Sequence, residues 1–551
     1  MSRRDGRKPT YLRSAPPRRH ARHAGRDPQR DPGDVLRTRR PQRRRPSNPI
    51  APALLGVVLV LLVVVAAAAW LLTRPVSLTV TATPDDAYVR LIGVDAAEAT
   101  GTLTVDELAP GPYTLEVARS GFATETVTVD VARVRGASLA VALEALPQTI
   151  SLSTHPEGAV CRVLRDGDEL LGGTAPLEGQ VVSGPVTVEL SLAGYNTFTR
   201  ELFIDHPAEL ELWLDPEGQV VHLLGMADAA GAPKGIALTP DGTEVWATIL
   251  DGPPSIEIFD VATRTVTDGI DLGTHGAVEI VFSADGAHAY ASQMETARVF
   301  EIDTATRTVV RTFETGSAWS KVVELAPDGS RAYVANWSGN DVSVIDLATG
   351  ELERRVPVAR TPRGLYATPD GASLYVAGFA RGDLQRIDLT TWEVTTLIST
   401  GGAMRHIVGD TARGVIFASD MARDRIYRHD IATGQTTEFV TTDEKPNTIA
   451  LSPDGKVLFV SCRGANNPVS YYIPGPEWGT ILLFDAESGE PLDAIVGGNQ
   501  PTALAVSQDG ATLAFSDFLD ARLRFYEVPT YETLAAGGGG RYGPHRDDLR
   551  K

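Results

Sequence analysis

Cysteine is almost missing from this chain, with two residues in 551. A disulfide scaffold is thereby excluded. Cys161 and Cys462 fall in different domains, so both read as free thiols that act as small buried hydrophobes. The motifs of common enzyme classes are missing too. There is no G-x-S-x-G elbow, no H-E-x-x-H, no G-x-x-x-x-G-K-[ST] loop, no C-x-x-C pair and no C-x-x-C-H haem site. Their absence argues against motif-bearing hydrolases, zinc peptidases, NTPases and c-type cytochromes. Large apolar residues are scarce over 1–49, a segment rich in Arg and Pro, which predicts a disordered basic arm. Negative charge is scarce there as well: residues 1–50 carry a net +12, whereas the other 501 carry a net −31.

The segment after the arm explains its charge. Ala51–Leu72 is 22 residues without a charge, long enough to cross a bilayer as one helix, assigned to 50–72. Arg40, Arg43, Arg44 and Arg45 crowd its near side and only Arg74 its far side, which predicts a cytoplasmic N-terminus and an extracytoplasmic bulk. A cleaved signal peptide, with Ala66-Ala67-Ala68 as the site, is the rival reading. Because the basic arm sets topology, no nucleic-acid partner is expected. The expected partners are the membrane and an envelope glycan or protein.

Two β-rich segments, 76–146 and 148–215, repeat one another. Pro84-Asp85-Asp86-Ala87 returns 72 residues on as Pro156-Glu157-Gly158-Ala159, and Gly111…Gly121 returns as Gly184…Gly194. Both copies resemble PEGA domains, small β-sandwich-like modules of bacterial envelope proteins. The resemblance implies a spacer or adhesion module, with carbohydrate contact as an expectation, although the first copy departs from the Pro-Glu-Gly-Ala motif.

From 219 to 529 a longer repeat takes over. Asp-Gly turns at Gly242, Gly286, Gly329, Gly371, Gly455 and Gly510, with a degenerate copy at Gly414, step by 44, 43, 42, 43, 41 and 55 residues. A period of about 40–45 residues with four short strands marks a β-propeller blade. The last repeat has three strands, and the orphan strand Gln219–Leu224 supplies a fourth, closing the ring across its two ends. The expected fold is all-β: a seven-bladed propeller preceded by two small sandwich-like domains and one transmembrane helix. Ala332-Tyr333-Val334-Ala335-Asn336, Ser343-Val344-Ile345-Asp346 and Ala348-Thr349-Gly350 resemble the YVTN-type propellers of surface proteins. Residues 530–551, with four consecutive Gly, read as a flexible tail.

Candidate site residues lie at the channel mouth. The loops into the inner strands carry Lys234, Val278, Lys321, Arg363, Arg405, His406, Asn447 and Thr502. Their cations would hold an anion such as a carboxylate or acidic sugar, or else pair with Asp251, Glu295, Asp420 and Asp517. The long step of 55 places an insertion at Cys462–Gly479, rich in aromatics, amides and Pro. Arg463, Asn466, Asn467, Tyr471, Tyr472 and Trp478 are expected to contact ligand, with Trp337, Asn340 and Phe379 from equivalent loops. The expected function is recognition of an envelope glycan, peptide or partner protein, with no cofactor and no catalytic residue. The first alternative is a metal-dependent, lactonase-like hydrolase whose divalent cation is held by Asp251, Glu295, Asp420 and Asp517, with Asn340 and Asn447. The second is an envelope scaffold without a small ligand. His275 and Glu279, four apart, are read as structural.

Overall fold

A computed structural model describes residues 50–73, 75–132, 136–410 and 412–551; the basic arm lies outside them. Helix α1 spans Ile50–Thr73. Its side chains are described over 56–70, where Val57, Leu59, Leu61, Val63 and Trp70 all stand exposed. Over the described residues no helix is long and apolar enough to cross a membrane. Helix α1 itself extends past the stretch 56–70 at both ends.

The sequence repeat at 72 residues is a structural one. The first module comprises β1 (Val76–Thr83), β2 (Tyr88–Ile92), β3 (Glu98–Thr100), β4 (Thr102–Leu108), β5 (Gly111–Ala118), β6 (Glu125–Val131) and β7 (Ala137–Ala142). The second comprises β8 (Pro147–His155), β9 (Val160–Arg165), β10 (Asp168–Thr174), β11 (Leu177–Val182), β12 (Gly184–Ser191), β13 (Phe198–Ile204) and β14 (Ala208–Trp213). Sheets β4-β1-β7 and β3-β2-β5-β6 of the first recur as β11-β8-β14 and β10-β9-β12-β13 of the second. Alternation buries Leu78, Val80, Val89, Leu115 and Val117 between the two sheets of the first module, with Ile150, Leu152, Val163, Val188 and Leu190 in the second.

The modules are tied to each other and to the ring of blades beyond them. Arg119 lies 4.0 Å from the centroid of the Phe203 ring, and Ser120 Oγ donates to the Asp205 carbonyl at 3.2 Å. Asp215 then pairs with His222 at 2.6 Å, and Asn196 Nδ2 donates to the Gln219 carbonyl at 2.6 Å.

Seven four-stranded antiparallel sheets make up the rest. Their first strands, Pro233–Leu238, Glu279–Phe282, Ser320–Leu325, Pro362–Ala367, Met404–Asp410, Pro446–Leu451 and Pro501–Val506, each contact the next. The seventh contacts the first, so the sheets form a closed, propeller-like ring around a central channel. We number them blades 1 to 7. Aromatic and aliphatic side chains such as Trp246, Phe417, Phe459 and Phe515 are fully buried in the blades. Blade 7 is closed by β15 (His222–Asp228), antiparallel to Arg522–Glu527. The closing strand therefore starts three residues later than expected. The backbone N–H groups of Val220 and Val221 both donate to the Asp493 carboxylate, at 2.7 and 2.9 Å, which removes them from the ladder.

Every turn glycine read from the sequence has positive φ, from 66° at Gly371 to 76° at Gly510. In five of these turns a Ser or Thr three residues upstream of the Gly donates to the Asp side chain, as Thr368 does to Asp370 at 2.6 Å. In the Gly329 turn the donor is instead Ser330, just past the Gly.

The expected flexible tail is a correction. Residues 530–551 form helix α2 (Tyr531–Gly537), capped by Thr530 and by left-handed Gly538, and a 3-10 turn, Pro544–Asp548. Leu534 is fully buried among Val457, Phe459 and Val528, and His545 is fully buried against Asp443 at 2.7 Å. The glycine run serves close packing: a Cβ on Gly539 would stand 2.5 Å from the Pro491 carbonyl oxygen. The two cysteines are free and buried.

Candidate ligand-binding site

The channel mouth is built by a repeated backbone irregularity. In six inner strands the pairing register shifts just past the first residue, as between Pro233 and Ile236, Pro362 and Leu365, and Met404 and Ile407. Such bulges re-aim side chains at a rim. The second residues of these strands, Lys234, Lys321, Arg363, Arg405, Asn447 and Thr502, consequently share one layer around the axis. Blade 2 has no bulge and presents Glu279, its first strand residue. Gly235 makes room for that carboxylate: a Cβ there would lie 2.6 Å from Glu279 Oε1.

Four cations thus converge, and Arg463 from the long loop joins them. Arg363, Arg405 and Arg463 are 5%, 7% and 8% exposed. Lys234 and Lys321 keep part of their surface on the lumen although protein surrounds them. Burial, then Arg405, Arg463, Arg363 and Lys321, holds the Lys234 ammonium well below the ordinary lysine range. Burial, then Arg363 and Arg405, brings Lys321 down to about 6. Burial lowers Arg363 and Arg405, and it brings Arg463 down to about 10. His406 is driven to about 3 by burial and by Arg363 and Arg405, so it is a neutral imidazole. Glu279 goes the other way, raised by burial in spite of Arg363, Arg405 and Lys234. Each group is pushed toward its neutral form, the signature of charges withdrawn from water without adequate partners.

The alternative, pairing with Asp251, Glu295, Asp420 and Asp517, does not occur among the described residues: none of Lys234, Lys321, Arg363, Arg405 and Arg463 has a carboxylate oxygen within 4 Å. Asp251 accepts from the Ala232 N–H at 2.7 Å, and Asp420 from Ala403 N–H at 2.7 Å. Asp517 binds the Gly498 N–H at 2.8 Å and pairs with Arg524 at 2.6 Å. Glu295 is exposed and acts on Lys321 only through space. Asp251, Asp420 and Asp517 thus pin separate loops; among the described residues Glu295 pins none, and no three His, Cys, Asp or Glu are grouped to hold a metal ion. Asn447 joins Arg405 Nε to the Thr502 carbonyl, and Gln500 accepts from Arg463. Arg363 Nη1 and Arg463 Nε are buried without a hydrogen-bond partner.

Aromatic rings stand over this layer. Lys321 Nζ is 4.1 Å from the centroid of Trp337, whose ring lies 5.0 Å from Phe379. Lys234 Nζ is 4.4 Å from Phe518, Tyr472 is 6.4 Å from Phe518 and 4.0 Å from Tyr471, and Arg463 lies 5.6 Å from Tyr471. The long loop is open to solvent: Val469 is 84% exposed and Tyr472 56%. Beneath the cations the channel continues as a cavity of about 490 Å³ with a mixed polar and apolar lining, bounded by Glu279 and His406, with Glu324 and Tyr366 on its wall. Burial raises Glu324 to about 7, against one hydrogen bond from Ala367 N–H.

Three expected ligand contacts are corrected. Asn340 has φ 57° and accepts from the Thr361 N–H at 3.0 Å, so it braces a turn. Asn467 braces its own loop, donating to the Pro474 carbonyl at 3.1 Å and accepting from Val469 N–H at 2.9 Å. Trp478 is covered by the C-terminal strap: its backbone N–H donates to the Leu549 carbonyl at 2.8 Å and Lys551 Nζ lies 4.5 Å from its ring. Asn466 is exposed on the loop. Sequence reasoning missed Glu279 as a channel residue, and it missed Phe518, Trp319 and Gln500. Alignment of the blades would have found Glu279, because it stands beside Val278 in the cation layer.

No family model matches this chain. Over 84 residues, 15% of its length, it is 49% identical to Antigen Lp49 of Leptospira interrogans. Those residues span 18% of that relative, less than a fifth of its length. Hydrazine synthase of Kuenenia stuttgartiensis matches with a TM-score of 0.48 and 18% identity, over 54% of this chain and 96% of that one.

Proposed function

We propose that this chain is a membrane-anchored, extracytoplasmic binding protein whose propeller recognises an envelope glycan at its channel mouth. The observation that carries the reading is the aromatic rim, Trp337, Phe379, Tyr471 and Tyr472, set over a layer of buried hydrogen-bond donors. Flat rings over convergent donors suit a sugar, whose faces stack and whose edges accept hydrogen bonds. The uncharged run of α1, with its exposed Val and Leu, supports the anchor. The YVTN-like repeats and the PEGA-like pair support placement at a bacterial surface, with the pair as a stalk. The name of the Leptospira relative, an antigen, agrees with exposure outside the cell.

The test is a glycan array probed with the full-length protein in detergent and with Tyr472→Ala and Trp337→Ala. The reading predicts that a defined set of glycans binds the wild type and that each variant loses about two- to tenfold, as stacking losses of about 0.5–1.5 kcal/mol imply. Binding to no glycan, or binding unaffected by either substitution, contradicts it.

A further inference from the structure

Resting on that reading, we infer that the glycan is acidic, and that a carboxylate or phosphate group of it descends past the aromatic rim into the ring of Lys234, Lys321, Arg363, Arg405 and Arg463. Five cations meet there within a ring that is otherwise strongly acidic. A cluster of that kind is unfavourable in the free protein, since burying an unpaired charge is costly. Several structural cations elsewhere in this molecule are paired, Arg524 with Asp517 at 2.6 Å and Arg331 with Glu353 at 2.9 Å among them. At the mouth two carboxylates lie nearby, and neither forms a contact ion pair with any of the five: Glu279 acts on Arg363, Arg405 and Lys234, and Glu295 on Lys321, through space only.

The orphaned donors fit an anion with several oxygens. Arg363 is 5% exposed, so its unpartnered Nη1 is held in place by the fold. Arg405 and Arg463 each use one nitrogen on a neutral amide, from Asn447 and Gln500, which orients the guanidinium and leaves other N–H groups for the ligand. The lysines lie against Phe518 and Trp337, so the route from rim to cation layer is lined by the rings that would stack a sugar. The cation positions continue outward: Arg360 and Arg381, exposed on neighbouring loops at the mouth side of blade 4, make no ion pair among the described residues. A neutral sugar would leave all these charges unanswered.

The experiment is calorimetric titration of the full-length protein with trigalacturonate, with glucose 6-phosphate and with neutral maltotriose at constant ionic strength. It is repeated with Arg405→Met and with Arg162→Met as a charge-loss control in the second module. Inorganic phosphate is added to the unliganded protein as a separate arm, read by melting temperature. The inference predicts that one of the two acidic sugars binds at least about 100-fold more tightly than maltotriose and loses about 100-fold in Arg405→Met, with no change in Arg162→Met. Preference for trigalacturonate assigns a carboxylate and preference for glucose 6-phosphate a phosphate. Phosphate should also raise the melting temperature of the wild type more than that of Arg405→Met. Equal binding of maltotriose, unaffected by Arg405→Met but lost in Tyr472→Ala, overturns the inference and leaves the glycan reading standing. If no sugar binds and phosphate shifts both proteins alike, both fall.

Discussion

The two ends of the ring treat charge in opposite ways. At the end bearing the Asp-Gly turns, each turn carboxylate is satisfied by short-range donors. Asp241, Asp285, Asp328, Asp370 and Asp509 are all held below the usual carboxylate range by side-chain and backbone hydrogen bonds. The same end holds a second set, Asp260, Asp303, Asp346, Asp388 and Asp430, lowered by donors from the Thr that comes after each. At the channel mouth the cations are buried, mutually repelling and short of partners. One end uses charge to fix turns, and the other maintains charge at a cost to the fold. A chain that retains such a cost at one place points to a ligand there.

The largest effect expected from breaking this contrast lies at a paired site beside the mouth. Asp517→Ala would leave Arg524 buried and unpaired, and urea denaturation should show a loss of about 3–5 kcal/mol. The inverse change within the cation layer should stabilise. Arg363→Glu puts a carboxylate among Lys234, Lys321 and Arg405, and its melting temperature should rise by about 5 °C while anion binding is abolished. A fall would mean that Arg363 has a structural role.

Changes of pH should separate the two ends. Lys321, faced by Arg363, Arg405 and Glu295 and lying against Trp337 and Trp319, has a folded pKa near 6, against 10.5 when unfolded. Between these values the unfolded chain holds a proton that the folded one refuses. This group's contribution is therefore complete above 10.5 and is lost as pH falls toward 6. Anion binding should run the other way, tightening as pH drops from about 8 to about 6, and Lys321→Met should flatten both trends. The turn carboxylates have folded values below 3.8, so their contribution is present above that pH and lost as pH falls through the lowered values. Acid unfolding monitored by circular dichroism should begin below about pH 4. The smallest expected effect is at a single turn: Asp370→Asn should cost about 0.5–1.5 kcal/mol, the worth of one hydrogen-bond set.

Much of this contrast was legible in the sequence, because it rests on local chemistry. The Asp-Gly period marks the turns, and the β-rich runs around Ala332-Tyr333-Val334-Ala335-Asn336 and Ser343-Val344-Ile345-Asp346 are strands, Arg331–Asn336 and Asp341–Asp346. Four cations of the mouth were legible because they occupy the same position in four of the seven repeats. What was not legible depends on contacts distant in sequence. The tail looks loose in composition, yet Leu534 reaches Val457 and His545 reaches Asp443, 102 residues back. Trp478 looks like a ligand platform until Leu549 and Lys551 arrive to cover it. Asn340 and Asn467 have the right atoms for a ligand, but backbone groups of nearby loops already occupy them.

The central claim is that the channel cations are retained for a ligand and weaken the free fold. The direct test is thermal unfolding of Arg363→Met beside the wild type, in chloride buffer without phosphate or glycan. Arg363 donates no side-chain hydrogen bond among the described residues, so its removal breaks no contact of that kind. A rise of about 2–4 °C in the variant is the predicted result. A fall of that size would show that the guanidinium supports the fold, and the claim would be wrong.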